Sequence, residues 1–551
     1  MMIPLILILA ASASAGGATD CPVRFTDVAP AAGLAFTHDR GRTSAHRMAE
    51  TMGSGLAWLD YDNDGWMDLY VVQGGPFPPP AGGSPRAQDR LFHNNRDGTF
   101  TDVTAKAGLH DVAYGMGAYA ADWDNDGWVD LLVTNWGGVI LYRNNGDGTF
   151  TDVTARSGLG DVKGFVTAAA WGDVDGDGRL DLFLGRYVDD RNEDRLFCGD
   201  AAKNERDYCP PMMYPGSPVS LFHNGNDGAF HDVTRAAGLG EAEGRVLGAV
   251  FADLDLDGRI DLYVANDETI NFLFHNIGGG RFEDISVVSG SGFDPQGNPQ
   301  GGMGTDAQDL DGDGLPDLVV ANFENETNEL YRNRGSGVFE DVSIASGFGP
   351  PAVNLVGFGL NLVDLDGDGA LDAFVANGHT FERPKRQGVP YAQRNLLLWN
   401  DGSGRFQERP CGAAFEKPHV GRGSAVADYD NDGDLDIAVS NSGGPLQLLR
   451  NDGGKARWAG VQLVGRKSNR QGIGARLVAE TPAGRKRTRL VVAGNSYLSS
   501  SDPRVVFGLG DENAIARLTI YWPSGIVQTV QSLAAGKYHR IEETEAPAAK
   551  P

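Results

Sequence analysis

The sequence predicts an all-β protein: a seven-bladed β-propeller with N-terminal strand closure, followed by a small β-sandwich-like domain. Three observations predict it. An acidic motif, Asp-x-Asp-x-Asp-Gly-x-x-Asp, occurs seven times, at intervals of 51 to 80 residues. Every copy has the same flanks: small residues before it and alternating apolar residues after it. The seventh unit lacks its last strand, while an orphan strand of the same type stands at the N-terminus.

The first motif is "DYDNDGWMD", with Asp60, Asp62, Asp64 and Asp68. The next three supply Asp122, Asp124, Asp126 and Asp130, then Asp173, Asp175, Asp177 and Asp181, then Asp253, Asp255, Asp257 and Asp261. The last three supply Asp309, Asp311, Asp313 and Asp317, then Asp364, Asp366, Asp368 and Asp372, then Asp428, Asp430, Asp432 and Asp436. A small-residue strand precedes each loop, as in "GMGAYAA" (115–121) and "GRGSAVA" (421–427). Alternating strands such as "DLYVV", "DLLVT" and "DIAVS" follow. A third strand, as in "LFHNN" (91–95), leads to an Asp-Gly turn such as Asp97-Gly98 and a fourth strand, "TFTDVT". Asp-Gly between alternating runs signals a hairpin. Repeated units of four antiparallel strands signal a propeller.

In the seventh unit three strands end near residue 451. "RFTDV" (24–28) has the pattern of the missing fourth. Ring closure by this strand would remove the open sheet edge. The predicted propeller therefore spans residues 21–451.

Four carboxylates within nine residues repel one another and raise their own pKa values. A hard divalent cation with oxygen ligands is the natural counter-charge, and calcium fits best, up to seven ions in all. Side chains at positions 1, 3, 5 and 9 and the carbonyl at position 7 are the expected donors. Glycine at position 6 permits the sharp turn. Position 7 ranges from Trp66 to Arg179 to Ala370, as a carbonyl donor allows. An EF-hand is excluded, because Val71 stands where its glutamate belongs and the flanks are strands. The chain carries a formal charge of −27. Without the 28 motif aspartates, 46 acids face 47 basic residues. Such a charge argues against nucleic acid or an anionic membrane as the main partner.

Residues 1–15, "MMIPLILILAASASA", read as a signal peptide ending in Ala13-Ser14-Ala15. The apolar run is too short to be a transmembrane anchor. A secreted or periplasmic location follows. Of four cysteines, Cys198 and Cys209 share one loop and form the favoured pair, leaving Cys21 with Cys411; four buried or free thiols are the alternative.

The acidic loops stop at Asp436, and "NDGGK" (451–455) reads as a linker. Residues 456–543 form the predicted second domain, and 544–551 a disordered tail. From residue 452 onward, fifteen Lys and Arg face eight Asp and Glu. "RLVVA" (489–493) and "ARLTIYW" (516–522) alternate as strands, and "GRKRTR" (484–489) reads as a solvated basic hairpin.

The loops and small-residue strands resemble the FG-GAP/VCBS repeats of integrin-α-type propellers, with "VGFG" (356–359) in the place such repeats have it. "GIGARL" (472–477), "NSYLSSSDPRVVFGLG" (495–510) and "YWPSG" (521–525) resemble the ASPIC/UnbV domain. Together they are similar to the cartilage acidic protein family and its bacterial relatives, over nearly all of residues 24–543. The resemblance implies an extracytoplasmic calcium-binding protein without an established catalytic role.

No nucleophile elbow, phosphate loop or zinc motif is present. His93, His223 and His275 occupy one repeat position, held elsewhere by Arg143, Arg332 or Trp399, and read as structural. The expected function is binding, adhesion or scaffolding toward an extracellular or envelope protein or glycan, without catalysis. The expected surface lies opposite the calcium loops, where 73–89, 186–218 and 378–394 are long, and Met212, Met213 and Tyr214 are the candidate contact patch. The alternative is a hydrolase or lyase acting on a polysaccharide through His38, Glu50 or His379.

Overall fold

The computed structural model describes residues 21–80, 84, 87–382, 388–454 and 456–544. The expected signal peptide and residues 545–551 of the expected tail lie outside them. Seven four-stranded antiparallel sheets form the blades. In blade 2 they are Tyr114–Ala121, Asp130–Trp136, Gly138–Asn144 and Phe150–Asp152. The first strand is buried along its whole length, whereas the fourth buries only Phe150. This gradient sets the chemistry of each strand: small residues crowd at the axis, and polar ones sit at the outer edge.

Blade 7 closes as the sequence predicts. Phe25–Asp27 pairs antiparallel with Gln447–Asn451, setting Phe25 opposite Asn451 and Asp27 opposite Leu449. Cys21–Cys411 ties the closing strand to the segment leaving blade 6, across 390 residues of sequence. The Phe25 N–H donates to the Cys411 carbonyl at 3.2 Å. The second disulfide, Cys198–Cys209, closes a hairpin of Cys198–Asp200 and Glu205–Asp207. Both expected pairings are therefore present.

The C-terminal strands form two sheets. Arg457–Val464 lies between Val505–Gly510 and Tyr538–Glu542 in one. Lys486–Leu490, Arg476–Glu480, Ala514–Tyr521 and Val527–Ala534 make the other, in that order. Their core residues Ala459, Leu477, Phe507 and Ile515 join Tyr119 and Trp171 of the propeller in one continuous apolar cluster.

Residues 491–503 leave the second sheet and enter the propeller axis. The carbonyls of Ala493, Leu498 and Ser500 accept N–H bonds from Trp171, Ala118 and Trp58 at 3.0–3.1 Å. Ser496 exchanges backbone bonds with Thr305 and takes the Leu360 N–H on its hydroxyl at 3.0 Å. Ser501 Oγ takes the Val426 N–H at 3.1 Å. First strands of six blades are thereby bonded to one inserted segment. Its passage explains the small residues of those strands: a Cβ at Gly55 would lie 1.6 Å from the Leu498 oxygen, and one at Gly423 2.6 Å from Ser499 Oγ.

Candidate metal centres

Each acidic loop turns between the first and second strands of its blade, and its own backbone aims the carboxylates. In the first loop, Asp60 accepts the N–H groups of Asp64 and Gly65, both at 2.9 Å, and Asp64 accepts that of Trp66 at 2.8 Å. Asp68 accepts the Tyr61 N–H at 3.3 Å and the Asn94 N–H at 2.8 Å. The bond from the position-6 glycine to the position-1 carboxylate recurs in all seven loops, at 2.8–3.1 Å. Those glycines have φ of 87–93°, a left-handed conformation that costs a side chain about 1–2 kcal/mol.

All seven position-9 carboxylates are buried, Asp181 completely. Asp62, Asp253, Asp364, Asp428 and Asp430 each keep a buried oxygen without a hydrogen-bond partner. Ligand atoms of Asp60, Asp62 and Asp68 lie within 4.8 Å of one another, as do those of Asp122, Asp124 and Asp130. Burial, with the neighbouring carboxylates adding to it, pushes Asp60 up to about 6 and Asp122 up to about 7. Burial likewise pushes Asp68, Asp317 and Asp364 up to about 7. Buried carboxylates gathered this closely make each such loop a candidate cation site, since a counter-charge or a proton must offset their desolvation. The candidate donors are carboxylate oxygens throughout, joined in three loops by a ring nitrogen, in the groups Asp62, Asp64 and His93, Asp175, Asp181 and His223, and Asp255, Asp257 and His275.

The repeat position of His93, His223 and His275 proves to touch these loops. Nδ1 lies 3.1, 3.0 and 3.0 Å from Asp68, Asp181 and Asp261. Arg143 bonds both Asp124 and Asp126 at 2.6 Å, and Arg332 reaches Asp311 at 3.2 Å. Trp399 differs, its indole donating to the Arg409 carbonyl. In those five loops the position lies against the carboxylates, and His93, His223 and His275 each belong to a candidate metal group, a role that the structural reading of this position did not include.

One set of residues escaped sequence reasoning. The next residue in every unit is asparagine: Asn94, Asn144, Asn224, Asn276, Asn333, Asn400 and Asn451. Its Nδ2 donates at 2.7–2.8 Å to the position-2 carbonyl of the preceding loop in the ring, namely Tyr429, Tyr61, Trp123, Val174, Leu254, Leu310 and Leu365. A closed ring of seven bonds joins the loops, including blade 7 to blade 1. The signal was the strict recurrence of asparagine beside a variable neighbour.

The C-terminal domain covers this acidic rim. Tyr538 donates to Asp428 at 2.8 Å, and the Gly508 N–H to Asp364 at 3.1 Å. Gln471 takes the Asp122 N–H, and Arg504 bonds Asn431 and the Asp428 carbonyl. The basic hairpin is not wholly solvated, because Arg489 is buried with its guanidinium 3.1 Å from the Gly369 carbonyl.

On the opposite rim, Met212 and Met213 are exposed, but Tyr214 is buried and donates to Glu193 at 2.9 Å. The contact patch thus loses its tyrosine, whose hydroxyl found a buried acceptor. His38, Glu50 and His379 are all buried. His38 takes the Gly443 N–H on Nδ1; burial foremost, with Arg422 and Arg40 near, pushes it down to about 3. His379 takes the Phe381 N–H on Nδ1 and is pushed down to about 4, again chiefly by burial. Glu50 accepts from Thr43, the Arg47 N–H and Tyr208. Glu50 is held by its partners, whereas Nε2 of His38 and of His379 is buried without a hydrogen-bond partner, the latter 3.5 Å from a Glu324 oxygen.

The family model for the FG-GAP-like repeat matches residues 60–133, 122–184, 212–264, 253–320, 309–375 and 364–439, together well over half of the chain. The chain belongs to the FG-GAP-like repeat family. The ASPIC and UnbV model matches residues 465–548 of this FG-GAP protein. Its chain is 26% identical over 510 residues to cartilage acidic protein 1 of Homo sapiens, covering 89% of this chain and 71% of that one. It is 27% identical over 490 residues to the Mus musculus protein, covering 86% and 70%. Among solved structures, YCF48 bound to D1 peptide aligns with a TM-score of 0.41 at 10% identity, over 73% of this chain and 92% of that one. A lectin of Agrocybe aegerita that recognises non-reducing terminal N-acetylglucosamine aligns at 0.36 and 20% identity, over 64% and 79%. Neither of these two overlaps bears on function.

Proposed function

We propose that this FG-GAP protein is an exported, calcium-stabilised binding or scaffold protein. Its partner is an extracellular or envelope protein or glycan, met at the rim opposite the acidic loops. One observation carries this reading: the C-terminal domain occupies the acidic rim and the axis, so the opposite rim is the face left free. Calcium is favoured because carboxylates dominate every cluster, with at most one histidine nitrogen beside them; zinc favours nitrogen and sulfur, and magnesium keeps its waters. Bound calcium would supply counter-charge that locks each turn, held by the carboxylates at positions 1, 3, 5 and 9. Two disulfides suit an oxidising compartment. Among the described residues no helix is long and apolar enough to cross a membrane. The reading is non-catalytic; burial of His38, Glu50 and His379 supports it.

The test is a panel of extracellular glycans and envelope proteins, assayed for binding and for turnover. Binding without turnover is expected, weakened by Met212→Glu with Met213→Glu. Glycan turnover that disappears in Glu50→Ala or His379→Ala would overturn the reading.

A further inference from the structure

The sixth and seventh acidic loops differ from the first in what bonds their position-1 carboxylates. In the first loop both oxygens of Asp60 are taken inside the loop, by the N–H groups of Asp64 and Gly65. In Asp364 and Asp428 a single oxygen, Oδ2, accepts both the loop glycine and a donor of the C-terminal domain. Those donors are the Gly508 N–H at 3.1 Å and the Tyr538 hydroxyl at 2.8 Å. The other oxygen, Oδ1, is buried in both residues and has no hydrogen-bond partner. Asp364 is 7% exposed and Asp428 0%, so each orphaned oxygen sits where water does not reach.

The arginines nearby do not serve those oxygens. In the sixth loop Arg489 comes within 3.7 Å of Asp364, but at Oδ2, and it donates to the Gly369 carbonyl. Arg487 donates to the Asp368 carbonyl. Four loop carboxylates thus face two guanidinium groups. In the seventh loop Arg504 is ion-paired with Asp502, and Arg450 with Asp452. Asp436 there, 1% exposed, likewise keeps Oδ2 buried and unpartnered. Both loops retain an excess of negative charge, and a divalent cation on the orphaned oxygens is the counter-charge that offsets it. A carboxylate bound through Oδ1 is fixed with Oδ2 toward the C-terminal domain. Without the cation, repulsion among the loop carboxylates acts on the very groups that hold that domain.

We propose that the cations of the sixth and seventh loops are shared between the propeller and the C-terminal domain, so that filling these two sites and docking the domain strengthen each other. The proposal rests on the reading of the acidic loops as calcium sites and gives two of them a task beyond locking a turn. Such coupling is reciprocal: the docked domain tightens the two sites by the factor by which their cations tighten the domain. Falling calcium loosens the C-terminal domain at blades 6 and 7, while the inserted segment 491–503 keeps it tied at the axis. The first loop has no such task, because both oxygens of Asp60 are bonded within the loop.

The experiment is hydrogen–deuterium exchange of the full, calcium-loaded protein, read on the strand Val505–Gly510. There the Gly508 N–H donates to Asp364 and the Gly510 N–H to the Gly367 carbonyl. Asp364→Asn keeps an oxygen for Gly508 but loses the charge that holds the ion. It should speed exchange at Gly508 and Gly510 about tenfold, whereas Asp60→Asn should leave both unchanged. Tyr538→Phe, followed by calcium titration, should weaken one bound ion about tenfold without lowering the number bound. This second readout decides the matter where Asp364→Asn does not fold. Equal acceleration by Asp60→Asn overturns the coupling and leaves the loops as calcium sites. Unchanged exchange in Asp364→Asn, or an unchanged titration in Tyr538→Phe, overturns it in the same way. A protein that takes up no calcium overturns the loop reading together with the coupling.

Discussion

At the scale of single residues, position 4 of the acidic loops carries a readable defect. It adopts left-handed φ in all seven loops, and Asn63, Asn125, Gly176, Gly312, Gly367 and Asn431 suit that conformation. Leu256, with φ of 61°, does not. Leu256→Gly should raise stability by about 1 kcal/mol, measured by thermal melting in excess calcium. The asparagine ring gives the opposite case. Asn276→Ala would strip donors from the carbonyls of Val174 and Ile260. Leaving such buried groups unpaired should cost about 1–3 kcal/mol in denaturant unfolding. Proton linkage belongs to this scale too. The fourteen position-1 and position-9 carboxylates are all raised above the ordinary 3.8, by burial foremost. Without metal, the fold holds protons that the unfolded chain has released. Stability is therefore present below 3.8 and is lost as pH rises through the raised folded values, about 6 for Asp60 and Asp173 and about 7 for Asp68 and Asp122. His38 and His379 act oppositely, because their folded values lie below 6.5, but they are two against fourteen. Chelated protein should melt higher at pH 6 than at pH 8. Calcium-loaded protein should gain nothing on the same acidification, since protons and calcium compete for the same oxygens.

At the scale of elements, the closing strand and the inserted segment decide whether the ring holds. Cys21→Ser with Cys411→Ser should cost about 2–4 kcal/mol, because the disulfide restrains a very long loop of unfolded chain. Much of this scale was legible in the sequence. The missing fourth strand after residue 451 and the orphan "RFTDV" required each other, and the structure pairs them. Position 6 was legible because only glycine is comfortable there. The inserted segment was not legible. "NSYLSSSDP" has neither strand alternation nor a helix period, and its partners lie on six different first strands. The small residues of those strands registered as a pattern without a cause until Leu498 and Ser499 were found against them. Tyr214 was misjudged for a related reason: a tyrosine between exposed methionines reads as surface, and its buried acceptor, Glu193, is distant in sequence.

At the scale of the whole molecule, charge separation organises the assembly. An acidic ring meets a basic C-terminal domain through Tyr538, Arg504, Arg489 and Gly508, all of which touch loops bearing the motif. One rim is thereby covered, and the other is left free. The central claim is that the acidic loops are metal staples that hold this ring together. The most direct measurement is the melting temperature of the full protein in excess calcium and after chelation, at pH 7.5 and fixed ionic strength. Each loop should contribute about 2.7 kcal/mol when calcium stands 100-fold above its Kd, so chelation should lower the midpoint steeply, and calcium should restore it while magnesium does not. An unchanged midpoint on chelation would contradict the account.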